Sequence, residues 1–246
     1  MTSFSALLKT EWLLFKRNLS LFIMGIGLPV MIFLLMSSIL TKSYPAEIIP
    51  NVIKYIMIAM CIYSSISFSI ISFPMMVVED RNTKWFDFLS MKPIKIWQYY
   101  LVKILRIVAN FVIAIIFVFS IGYFVKGVKL SASEWLISFL IILFGSICMM
   151  GIGFLLTLLR TSEQVAAFSN IILIFLSMIS GLWWPIDTFP EFLQKIAKLT
   201  PTYHINNMAN EFLNKKAFAS NSFFVLIAYF FVLVFITLLL RKRYRA

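Results

Sequence analysis

The chain has 246 residues, 61% of them hydrophobic and 13% charged, with a mean hydropathy of +0.95 and a net charge of +12. A soluble domain averages about 45–50% apolar and about 25% charged residues, so this chain has too few charges to clothe a water-exposed surface, and lipid must cover much of it. Its basic residues fall in short clusters between apolar runs, which suits the anionic face of a membrane and excludes a nucleic-acid-binding domain.

The segment 1–18 opens with an amphipathic helix over residues 2–17. Phe4, Leu7, Leu8, Trp12 and Phe15 recur at three- and four-residue spacing, and Ser5, Lys9, Lys16 and Arg17 take the other face. Such a helix lies in the membrane interface; the alternative is a helical extension of the first span. Apolar runs long enough to cross a bilayer follow at 20–40, 52–78, 99–125, 135–159, 164–184 and 221–240. Backbone groups in lipid must be satisfied internally, so these runs are helices. No small-residue cleavage site marks the first run as a leader, and it is expected to stay as a span. Cys61 and Cys148 sit inside apolar runs and read as small buried hydrophobes, without disulfide or metal spacing.

Two connecting segments carry more than a turn. Residues 79–98 begin Glu79-Asp80-Arg81, continue through Trp85, Phe86, Phe88 and Leu89, and close at Pro93. An aromatic surface between charges has the form of a partner-docking helix, or of a second membrane-surface helix. Residues 185–220 are too apolar for a free loop and are broken by Pro185, Pro190 and Pro201. Phe189, Phe192, Leu193, Ile196 and Leu199 form one amphipathic stretch; Ile205, Met208, Ala209, Phe212 and Leu213 form another. Two short helices are expected there, re-entrant from the outer leaflet, capping the bundle, or lying on the surface.

With the N-terminus inside, every arginine falls on the cytoplasmic side and the outer basic residues are all lysines: Lys42, Lys54, Lys126, Lys129, Lys195, Lys198, Lys215 and Lys216. This bias predicts an all-α integral membrane protein of six spans, a single membrane domain over 1–246, with both termini in the cytoplasm.

The sequence has no Gly-x-x-x-x-Gly-Lys-Ser/Thr phosphate loop, no His-Glu-x-x-His and no Cys-x-x-Cys. Its ten carboxylates fall near span ends or in loops, and His204 is the single histidine, so an ion-coupled carrier lacks its usual relay and no catalytic or metal constellation converges. Whatever work the chain does must draw on an external engine.

The loop Glu79-Asp80-Arg81-Asn82-Thr83-Lys84-Trp85-Phe86-Asp87-Phe88-Leu89, followed by Pro93 and Lys103, resembles the segment after the second span in permeases of the type-2 export family of ABC transporters, with Asn82 in place of the usual glycine. A second stretch, Ser180-Gly181-Leu182-Trp183-Trp184-Pro185-Ile186 through Phe189-Pro190 and Leu199-Thr200-Pro201-Thr202-Tyr203, is similar to that family's outer signature before the last span. The likeness extends over the whole chain in length, span order and loop positions. It implies a permease that pairs with a second permease, alike or different, and with separate ATPase subunits that carry the ATP and magnesium. Glu79, Arg81, Thr83, Trp85, Phe86, Phe88 and Leu89 would form the coupling surface, assisted by the N-terminal helix. Trp184, Pro185, Phe189, Pro190, Pro201 and Tyr203 would belong to an outer gate. The first, second and fifth spans would line the cargo path, where Met24, Met31, Met57, Met60, Phe68, Phe175 and Met178 suit a hydrophobic or peptide cargo or else simply face lipid and pack. A drug, an antimicrobial peptide or a lipid-like compound is the leading cargo. Cell-wall polymer or sodium export is the alternative, as is a membrane anchor or sensor for an ATPase that moves nothing.

The topology has a direct test. A tag inserted within 42–46 is expected to be labelled from outside intact cells and a tag after Ala246 only after permeabilisation; labelling of the C-terminal tag on intact cells overturns the even number of spans.

Overall fold

The computed structural model describes residues 3–17, 19–40, 42, 45–92 and 94–244. These form helices α1 (Ser3–Arg17), α2 (Leu19–Leu40), α3 (Ile49–Ser67), α4 (Phe73–Asn82), α5 (Trp85–Ser90), α6 (Ile96–Phe124), α7 (Ala132–Leu156), α8 (Ser162–Ile179), α9 (Glu191–Ala197), α10 (Pro201–Lys215) and α11 (Ser220–Tyr244), and no strand is present among the described residues. Among the described residues, five helices are long and apolar enough to cross a membrane: Ile49–Asn82, α6, α7, α8 and Ser220–Leu240; the described apolar part of α2, Gly25–Leu40, is shorter.

Local chemistry sets most of the boundaries. Ser131 caps α7: its hydroxyl accepts the Glu134 N–H at 3.3 Å, and the Glu134 carboxylate accepts the Ser131 N–H at 2.6 Å. Thr161 and Thr200 cap α8 and α10 in the same way, and Pro201 occupies the first turn of α10, where its missing N–H costs nothing. The apolar pattern carries the fifth run to Trp184, but α8 stops at Ile179. Gly181 adopts φ +83°, a conformation that ends a helix and that side-chain-bearing residues rarely take, so Trp183 and Trp184 leave the helix.

α3 is the centre of the bundle, against α2, α6, α7 and α10. In the continuous helix Ile49–Asn82, 89% of the apolar window is buried, against 11% for α11, which therefore lies at the apolar periphery. Between α3 and α4 the helix widens into one π-helical turn, Phe68–Ser72. Such a turn frees backbone carbonyls, and a neighbour satisfies one of them here. The Ser169 hydroxyl of α8 donates to the Ile70 carbonyl at 2.7 Å, and the Ser69 hydroxyl donates to the Ser146 carbonyl of α7 at 2.8 Å. α7 approaches so closely at Gly153 that a Cβ there would lie 2.2 Å from the Ser69 carbonyl oxygen. Cys61 and Cys148 are both buried and free.

The segment 185–220 holds a 3₁₀ turn (Ile186–Thr188), the exposed α9 and the buried α10. α10 presents Ile205, Met208 and Ala209 to the core, with Ile205 seated against Gly145 of α7. Pro93 lies outside the described residues.

Gly153→Ala is expected to destabilise the protein by about 1–3 kcal/mol, because backbone cannot yield as a flexible side chain can. Gly27→Ala, with open space around its Cβ, is the control. Thermal denaturation of the purified protein reads both, and equal midpoints would contradict the packing described.

Candidate functional site

The two ends of the bundle carry different chemistry. At the end where α4 finishes and α6 begins, four charged side chains meet out of water. Lys103 Nζ lies 2.7 Å from Glu11 Oε1 and 2.7 Å from Asp80 Oδ2, and Arg106 Nη1 lies 2.7 Å from Glu11 Oε2. Lys103 is 2% exposed and Glu11 5%. Asp80 also accepts the Tyr99 hydroxyl at 2.7 Å. A lysine inside an apolar helix is costly unless paired, and two carboxylates from two other elements pair it here. The cluster locks α1 and α4 onto α6.

A small apolar core seals this cluster: Leu7 of α1, Leu89 of α5, and Tyr99 and Val102 of α6, with Phe4, Trp85 and Ile94 packed around them. The N-terminal helix is thus divided. Leu7 and Glu11 face protein, whereas Leu8, Trp12, Leu13 and Leu14 stay exposed. The spacing predicts the apolar face but not the buried carboxylate within it.

The expected coupling residues fall into two groups. Trp85 and Phe88 stack with ring centroids 5.3 Å apart, and the Lys92 ammonium lies 5.2 Å above the Phe88 ring. Phe88 is 47% exposed and Met91 81%. Leu89 points the other way, buried against Leu7 and Tyr99. Arg81 reaches sideways and donates to the carbonyls of Thr157 and Leu159, at 2.9 and 2.6 Å, where α7 ends and its dipole is negative. The Thr83 hydroxyl donates to the Glu79 carbonyl at 2.8 Å and so closes α4, and Glu79 itself is exposed. Lys84, with φ +59°, makes the left-handed turn into α5. Phe86 lies on α5 and Met24 on α2.

The opposite end holds a cavity of about 580 Å³ between α2, α3, α10 and the segment after α8. Ile32, Met36, Leu40, Val52, Ile56, Met60 and Leu182 form its apolar wall, Trp183, Trp184 and Pro185 one side, and Asn51, Lys54, Tyr55, Asn210 and Asn214 the polar side. A hydrogen-bonded node holds that wall together. The Tyr55 hydroxyl donates to the Gly181 carbonyl, and Asn206 Nδ2 donates to the same carbonyl at 3.3 Å. Asn210 Nδ2 donates to Asn206 Oδ1 at 2.7 Å. His204, on the outer part of α10, shares a hydrogen bond with the Ser222 hydroxyl at 3.0 Å, and burial holds its imidazole below the ordinary value.

Of the expected gate residues, Trp184 and Pro185 line this cavity. Pro201 is buried at the start of α10, Pro190 is exposed before α9, and Tyr203 packs edge-on against His204 at 5.2 Å. The Phe189 carbonyl accepts from Gln194 Nε2 at 2.9 Å. Of the expected path residues, Met60 reaches the cavity. Met57 fills the space over Gly122, and Phe68 the space over Gly25. Met31, Phe175 and Met178 lie on the exposed apolar surface. Sequence reasoning passed over Glu11, Arg106, Tyr55, Asn206 and Asn210. The available signal was Lys103, a cation about a quarter of the way into the apolar helix Ile96–Phe124, which demands carboxylates nearby.

Lys103→Met is expected to cost about 3–5 kcal/mol, since it leaves Glu11 and Asp80 buried without their shared cation. Adding Glu11→Gln should recover part of the loss, because the two changes touch one network. Strictly additive losses in thermal stability would mean that Glu11 and Lys103 are not coupled.

Residues 2–213 match the family described as ABC-2 type transporter. Two proteins of Bacillus subtilis (strain 168) are similar to the chain. The first, named as the transport permease YvfS, is 26% identical over 190 residues, covering 77% of this chain and 78% of that protein. The second, named as the linearmycin resistance permease protein LnrN, is 36% identical over 94 residues, covering 34% of this chain and 24% of that protein.

Proposed function

Because this chain belongs to the ABC-2 type transporter family, we propose that it is the six-span permease of an ATP-driven exporter of hydrophobic or amphipathic compounds, working in the plasma membrane with a separate ATPase and a second permease. α2, with 22 residues from Leu19 to Leu40, is long enough by itself for the sixth span. The arginine-bearing end is then cytoplasmic by the charge bias, and the cavity opens toward the outer face.

The observation that carries this reading is the Trp85–Phe88 stack, with Phe88 exposed and Trp85 half-buried, braced from behind by buried charge. An exposed aromatic ring beside Lys92 and Met91 suits a groove on a partner protein. α5 cannot move alone. Leu89 ties it to α1 and α6, and the turn at Lys84 joins it to α4, whose Asp80 is held by Lys103. A displacement of α5 by a closing ATPase pair therefore passes to α4 and through the π-helical turn to α3, which forms one wall of the cavity. ATP enters as a ligand of the partner that favours one arrangement of these helices over another. The name of one relative, which refers to linearmycin resistance, supports an antimicrobial compound as cargo, and so does a cavity with a largely apolar lining.

Purification of the tagged chain from its native membrane is expected to bring a subunit with a phosphate loop and ATPase activity; recovery of the chain alone after gentle crosslinking would count against the reading. Phe88→Asp should abolish that recovery while the permease remains folded. Leu89→Asp should instead lower the melting temperature, since it buries a charge against Leu7 and Tyr99. Full ATPase recovery with Phe88→Asp means that the docking surface lies elsewhere.

A further inference from the structure

We infer that the outer cavity selects amphiphiles with an anionic head, carboxylate or phosphate, held by Lys54 while the tail lies along the apolar wall. The inference rests on the permease reading for its biological meaning, but the binding event belongs to this chain alone.

The lining has one charged residue, Lys54, and among the described residues that line the cavity none is aspartate or glutamate. Asp187, between the wall residues Pro185 and Thr188, is exposed and not part of the lining. The Lys54 ammonium has no carboxylate partner among the described residues; it reaches Asn51 Oδ1 at 3.5 Å. Lys103, the buried lysine at the opposite end, is by contrast paired with two carboxylates. A cation left uncompensated beside an apolar wall attracts an anion more strongly than a cation in open water, because the medium around it screens less.

The remaining polar groups of the wall point the same way. Trp183 contributes to the lining, its indole N–H being buried without a hydrogen-bond partner among the described residues. The amides of Asn51 and Asn214 add donors beside it. The apolar wall, with Met36 and Met60, offers a flexible apolar surface for a chain. The volume lies within the ordinary range for small-molecule sites, about 300–1,000 Å³. A cationic head would meet Lys54 with no carboxylate to offset it, so the cavity discriminates by charge as well as by greasiness.

The test uses the full chain in phosphatidylcholine nanodiscs with 11-(dansylamino)undecanoic acid as the fluorescent probe. Dodecanoate, dodecyl phosphate, dodecyl glucoside and dodecyltrimethylammonium, which share one tail, compete for it. The two anions are expected to displace the probe at concentrations about tenfold below the cation. Lys54→Arg should keep that order, Lys54→Met should flatten it, and Lys54→Glu should reverse it. Equal displacement by all heads in the wild-type protein overturns the inference without any variant, as does an unchanged order in a folded Lys54→Met. Nanodiscs doped with phosphatidylglycerol separate the two sources of such a head: loss of probe binding assigns the site to an anionic lipid, and retained binding assigns it to a free amphiphile. Failure of an ATPase to co-purify would overturn the permease reading and leave this head-group order untouched.

Discussion

The fold turns on a lysine that cannot reach water. Lys103 sits within an apolar helix at 2% exposure, and its charge is tolerated because Glu11 and Asp80 both lie 2.7 Å away. Each carboxylate comes from a different element, so one desolvated cation fixes the N-terminal helix, the end of the second long helix and the start of the third in a single arrangement. Removing Lys103 strands Asp80 without its cation and leaves Glu11 with Arg106 alone, in a medium that solvates charge poorly. Arg106, paired with the second oxygen of Glu11, completes the charge balance.

This anchorage ties one end of the molecule together. Phe88 on α5 is exposed, but its backing is not free to yield: Leu89 is locked against Leu7 and Tyr99, and Arg81 fastens α4 to the end of α7. Force applied at such a surface is transmitted rather than absorbed locally. The less regular element lies further along, in the π-helical turn at Phe68–Ser72, where a serine of α8 donates to a freed carbonyl and Ser69 donates to a carbonyl of α7. Rigid input and irregular midpoint together are what a conformational relay needs.

The opposite end is built on a contrasting rule. Uncharged hydrogen bonds among Tyr55, Gly181, Asn206 and Asn210 hold the cavity wall, and the single cation of the lining is left uncompensated. Charge is neutralised where the protein must hold still and left available where a ligand can meet it.

Much of the frame was legible from the chain alone. Sparse charge dictates lipid, apolar runs of span length dictate helices, and capping residues such as Ser131 and Thr161 place their starts. The amphipathic pattern of residues 2–17, the aromatic surface of α5 and the apolar face of α10 follow from periodicity, a local property. The end of α8 was less legible, because apolar pattern runs through Gly181 while backbone geometry stops there. Which side chains meet across helices was not legible at all. Glu11 and Lys103 are ninety-two positions apart, Tyr55 and Asn206 farther still. The expected path residues show the same limit: Met57 and Met60 are alike in sequence, yet one fills the space over a glycine and the other lines a cavity. Composition and periodicity determined the medium, the helices and their faces, since these depend on each residue and its near neighbours. Tertiary structure alone decided which charge is paired, which methionine meets the cavity and which lysine is left without a carboxylate, because those depend on helix rotation and depth, set by the packing of the whole bundle.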